Sequence, residues 1–135
     1  MTKNVGMWID HKRAVIVILN EREVTLQQIE SEVGNRPHYR GYTHPKSTYS
    51  AQYQKGDDQL DRQFMERLNK FYGNVIAQIR DADELLLFGP GEAKSELEKR
   101  LAHEKVHLKA IHLETTDKMT DRQISAKVEM YFSSQ

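Results

Sequence analysis

The sequence predicts an α/β domain with a mixed five-stranded sheet, its elements running β-β-β-α-β-α-β-α. Three observations carry that expectation. Two β-branched apolar runs and an alternating third lie near the N-terminus, a helical period takes over from Asp58, and strands then alternate with helices to the end. Short connections between the first three strands imply an antiparallel meander. Alternation of strands and helices implies right-handed crossovers and parallel pairing.

Val5 to Ile9 and Ala14 to Leu19 are the first two strands, joined by the polar turn Asp10-His11-Lys12-Arg13 in the manner of a hairpin. In the third, Glu23 to Glu30, Val24 and Leu26 alternate with Thr25 and Gln27. From Asp58 the apolar residues Leu60, Phe64, Leu68, Phe71, Tyr72, Val75, Ile76 and Ile79 recur at three- and four-residue steps, one long stripe on a helix. Glu84 to Phe88 is a short apolar run closed by Gly89-Pro90-Gly91. Its side chains suit both faces of a sheet covered by helices, so it is expected at the centre, parallel to Val5–Ile9. Ala93, Leu97 and Leu101 mark a second helix. Val106, Leu108, Ile111 and Leu113 mark a last strand with an irregularity near Ala110. Thr120 and Gln123 form a capping-box pattern ahead of a helix whose apolar face is Ile124, Val128, Tyr131 and Phe132.

At 135 residues the chain fits one domain, residues 1–135, able to bury a core without staples. It has no cysteine, which removes disulfides, thiolate metal sites and cysteine nucleophiles together. The N-terminus lacks the apolar region of a secretory signal, and the longest apolar run, Ala14 to Leu19, is far too short to span a bilayer. A soluble, cytoplasmic protein with no membrane contact is expected. Twenty basic residues balance twenty acidic ones, so no global field draws in nucleic acid. Electrostatic specialisation has to be local.

It is found in the interval from Val33 to Gly56, where no period is visible, and a long loop at about 33–57 is expected there. Loops of such length inside a domain are usually functional or disordered. Between Glu32 and Asp57 there is no acidic residue, while Arg36, His38, Arg40, His44 and Lys46 interleave with Tyr39, Tyr42, Tyr49 and Tyr53. Basic side chains neutralise phosphates and aromatic rings stack on unpaired bases, so Arg36, His38, Tyr39, Arg40, Tyr42, His44, Lys46 and Tyr49 are the candidate contacts to ribosomal or other RNA. The alternative is a surface loop whose tyrosines pack on the domain, on a protein partner or on a second copy of the chain.

The turn Gly89-Pro90-Gly91 opens a helix, and Gly89, Gly91 and Lys94 are candidate anion-binding residues because helix N-termini present unpaired N–H groups. Glu92 in the first turn repels a phosphate, and no P-loop or dinucleotide spacing is present. A structural turn is the competing reading, and the favoured one. If strands one, three, four and five run the same way, the Asp10-His11 turn, the long loop, the Gly-Pro-Gly turn and Glu114 to Lys118 share one edge, where open α/β sheets place their sites.

Leu85-Leu86-Leu87-Phe88-Gly89-Pro90-Gly91-Glu92-Ala93-Lys94, followed by Leu97, resembles the strand–turn–helix of the central domain of archaeo-eukaryotic peptide-chain release factors. Pelota-type rescue factors and uncharacterised bacterial relatives are similar there. The order of elements matches over most of the chain; the sequence likeness covers about a dozen residues. The resemblance implies a ribonuclease-H-like sheet in the order 3-2-1-4-5. It also implies a role in translation, with the long loop reaching toward the ribosome. In release factors that loop carries Gly-Gly-Gln. This sequence has none, offering Arg40-Gly41-Tyr42 and Ser50-Ala51-Gln52-Tyr53 instead, so no catalytic residue is carried over.

Enzyme readings fare poorly on the residues. A two-metal nuclease needs carboxylates clustered at strand ends. Asp10 ends the first strand, but the fourth ends in Phe88-Gly89-Pro90, and Asp10 is expected to serve the turn. His103, His107 and His112 have no zinc-like placement, and no hydrolase elbow occurs. No catalytic residue, metal site or small-molecule cofactor is expected. The expectation is a non-catalytic RNA- or ribosome-interacting module, with a protein-interaction or regulatory domain as the alternative and a metal-dependent nuclease third.

Overall fold

The structure, a computed structural model, describes residues 2–21, 23–32 and 51–133, with the side chains of the first helix described from Leu60 onward. Five strands, β1 (Lys3–Ile9), β2 (Arg13–Asn20), β3 (Glu23–Glu30), β4 (Glu84–Gly89) and β5 (Ala110–Thr115), form one sheet in the order β3-β2-β1-β4-β5. The helices are α1 (Ala51–Ile79), α2 (Ala93–His103) and α3 (Asp121–Ser133). β1 pairs antiparallel with β2, and β2 with β3; β1–β4 and β4–β5 are parallel. The mixed sheet, its strand order and the position of β4 inside it beside β1 are those expected from the sequence.

The pleat sorts the core into two layers. Val5, Met7 and Ile9 of β1 and Leu85 and Leu87 of β4 face the stripe of α1 (Phe64, Leu68, Phe71, Val75, Ile76, Ile79) and the buried face of α2. Trp8, Val15, Val17, Leu86 and Phe88 face the other way, onto Ile124 and Val128 of α3. Leu85 to Phe88 are thus buried on both faces, which is why β4 reads as a continuous apolar run.

Two boundaries differ from expectation. α1 begins at Ala51, not near Asp58, so Ala51 to Gly56, expected in the loop, are helical. The helix is about 43 Å long at 1.5 Å per residue, whereas β3, at 8 residues, spans about 27 Å. The apolar stripe in the sequence starts at Leu60, and residues 51–59 carry no such period. β5 begins at Ala110, not Val106. Its register pairs Ala110 with Glu84, the first residue of β4, so residues before Ala110 have no strand to pair with. Lys105 adopts φ 57° at the end of α2. Val106 and Leu108 then pack against the core from a connection, and Lys109 N–H donates to Asp83 O at 2.8 Å.

The capping box forms reciprocally: Thr120 N–H donates to Gln123 Oε1 at 2.9 Å and Gln123 N–H to Thr120 Oγ1 at 3.2 Å. No described helix is long and apolar enough to cross a membrane.

Candidate functional site

The strand directions bring the C-terminal ends of β1, β3, β4 and β5 to one edge, as expected from the sequence. At that edge Asp10 Oδ1 accepts from Lys12 N–H at 2.8 Å and Arg13 N–H at 2.9 Å, closing the β1–β2 turn as an Asx motif. Ser31, just past β3, ties itself to the same turn: its N–H donates to Lys12 O at 2.9 Å and its Oγ to His11 O at 2.6 Å. Arg67 Nη1 on α1 donates to Glu32 O at 3.3 Å. The chain therefore leaves the sheet at a fixed point, and α1 starts at Ala51, about 24 Å along the helix from Arg67.

The candidate contacts Arg36, His38, Tyr39, Arg40, Tyr42, His44, Lys46 and Tyr49 lie outside the described residues. What the structure fixes is the edge from which that basic, tyrosine-rich interval departs.

Three residues far apart in sequence meet beneath this edge. Glu96 Oε1 of α2 accepts from Tyr72 OH of α1 at 2.6 Å and lies 3.0 Å from His11 Nε2 in the β1–β2 turn. The His11 ring meets Phe64 edge-on at 6.3 Å. Burial, then the hydrogen bond to Glu96 and its negative charge, hold the Tyr72 phenol well above its ordinary value of 10.0. The cluster locks the turn, α1 and α2 together. No spacing rule marks it in the sequence, where Tyr72 reads only as part of an apolar stripe.

The sign of the Tyr72 shift gives a test. The folded state holds the phenol proton more tightly, so this group leaves stability unchanged below about pH 10 and lowers it as pH rises further, by up to about 1.4 kcal/mol per pH unit. Urea melts of wild type and Tyr72→Phe between pH 9 and pH 11 are expected to show the extra alkaline slope in wild type alone. Equal slopes would contradict the buried hydrogen bond.

The Gly-Pro-Gly turn is tightly determined. Gly89 has φ +145°, and a Cβ there would stand 2.3 Å from the backbone oxygen of Ile9. Gly91 has φ +65° with open space around it. Lys94, 6% exposed, donates from Nζ to Gly91 O at 2.7 Å. Of the anion-binding candidates, Gly89 is accounted for by its approach to β1, and the Lys94 ammonium is engaged by its own turn. On the neighbouring flank Trp8 Nε1 donates to Asp117 O at 3.1 Å, and the Arg13 guanidinium lies 5.0 Å over the indole ring. Among the described residues no group of three or more His, Asp or Glu side chains could hold a metal ion. His103 ends α2, His107 lies in the connection to β5, and His112 stacks on Tyr131 at 5.5 Å.

The fold recurs in known proteins. The Pelota protein of Thermoplasma acidophilum superposes with a TM-score of 0.52 at 11% identity, covering 99% of this chain and 32% of that one. Archaeoglobus fulgidus Pelota gives 0.51 at 15% identity, covering 98% and 36%. The chain shares the fold of a part of Pelota. An archaeal translation termination factor also matches, with a TM-score of 0.44 at 13% identity over 98% of this chain and 39% of that one. The chain thus spans about a third of the length of the Pelota structures. The sequence matches no protein-family model, and no curated protein matches it.

Proposed function

We propose that the protein is a non-catalytic RNA- or ribosome-contacting module, akin to the central domain of release factors, that engages its target through the basic, tyrosine-rich interval 33–50. The observation that carries this reading is the meeting of that composition with its place in the fold. The interval connects the C-terminal end of β3 to the start of α1, at the edge where open α/β sheets hold their ligands. It adds cations and tyrosines with no acidic residue between them. The fold shared with part of Pelota supports the reading. The sequence contains no Gly-Gly-Gln, and Asp10 is held by its own turn; both favour a contact role over hydrolysis.

Binding of labelled single-stranded RNA across a salt series tests the chemistry. Replacing Arg36, Arg40 and Lys46 by Ala is expected to lower the log–log salt slope by about 0.7–0.9 for each phosphate that the protein no longer neutralises. Tyr39→Ala and Tyr42→Ala are each expected to weaken binding by about 1–3 kcal/mol with little change in slope. Wild-type protein without RNA affinity at low salt would overturn the proposal. Tyrosine variants that change only the mass of a protein complex would favour a protein partner instead.

A further inference from the structure

We draw no further inference here: the strongest candidate, the apolar cleft between β3 and α3 lined by Leu19, Val24, Met130 and Phe132, is an unpartnered face, and nothing in the structure shows what covers it.

Discussion

Gly89→Ala is expected to lower the melting temperature by roughly 10 °C or more, a loss of about 3 kcal/mol. Two costs coincide at this residue. Its φ of +145° is accessible essentially to glycine alone, and forcing a side chain there costs about 1–3 kcal/mol. The new Cβ would also meet Ile9 O at 2.3 Å and Ile9 N at 3.1 Å, atoms of a central strand that cannot rotate away. β1 and β4 would have to part just beyond their Trp8–Phe88 pair. Gly91→Ala is the matched control: its φ of +65° is strained, but nothing lies within 4 Å, so only the conformational cost of about 1 kcal/mol applies. Thermal melts of the two variants should separate clearly. Equal losses would mean that the Ile9 contact is not what makes glycine necessary at position 89.

Gly6→Ala is expected to destabilise the protein by about 1–3 kcal/mol through overpacking, and this effect should be repairable. A Cβ on Gly6 would stand 2.2 Å and 2.6 Å from the two γ-carbons of Val128 and 2.9 Å from its Cβ. Valine is stiff about χ1, so α3 itself would have to lift off β1, taking Ile124 and the cover over Trp8 with it. Val128→Ala alone leaves a void and is expected to cost about 2 kcal/mol. Combined, the two changes add one methyl group at position 6 and remove from position 128 the two γ-carbons it would meet most closely. The double variant should be more stable than the sum of the singles by about 1–2 kcal/mol. Chemical denaturation of the four proteins measures the coupling, and strict additivity would refute the direct contact of α3 on the glycine.

These two glycines mark what could be read from the sequence and what could not. The stripe from Phe64 to Ile79 and the apolar Leu85–Phe88 run are local patterns written by burial, so helix, strand and their order were legible. The capping box was legible because Thr120 and Gln123 exchange hydrogen bonds with each other's backbone. The start of α1 was not, because residues 51–59 carry no apolar period. Gly89 stood out in its turn, but its partner is a carbonyl in β1, distant in sequence. Gly6 gave no sign at all, since only the approach of Val128 makes it necessary. The His11–Glu96–Tyr72 cluster is of the same kind, joined across α1, α2 and a hairpin turn by the fold alone. The candidate RNA contacts rest on composition alone, through the absence of acidic residues between Glu32 and Asp57, and lie outside the described residues. Composition indicates what such a segment can bind and leaves its conformation open.

Co-sedimentation with purified ribosomes at low and at moderate salt tests the central claim most directly. Wild-type protein is expected in the ribosomal pellet at low salt and largely released at moderate salt, as counterion release demands. The Arg36→Ala, Arg40→Ala, Lys46→Ala protein should stay in the supernatant at both while melting at the wild-type temperature. Wild-type protein that remains in the supernatant at low salt, or a triple variant that pellets as wild type does, would contradict the account.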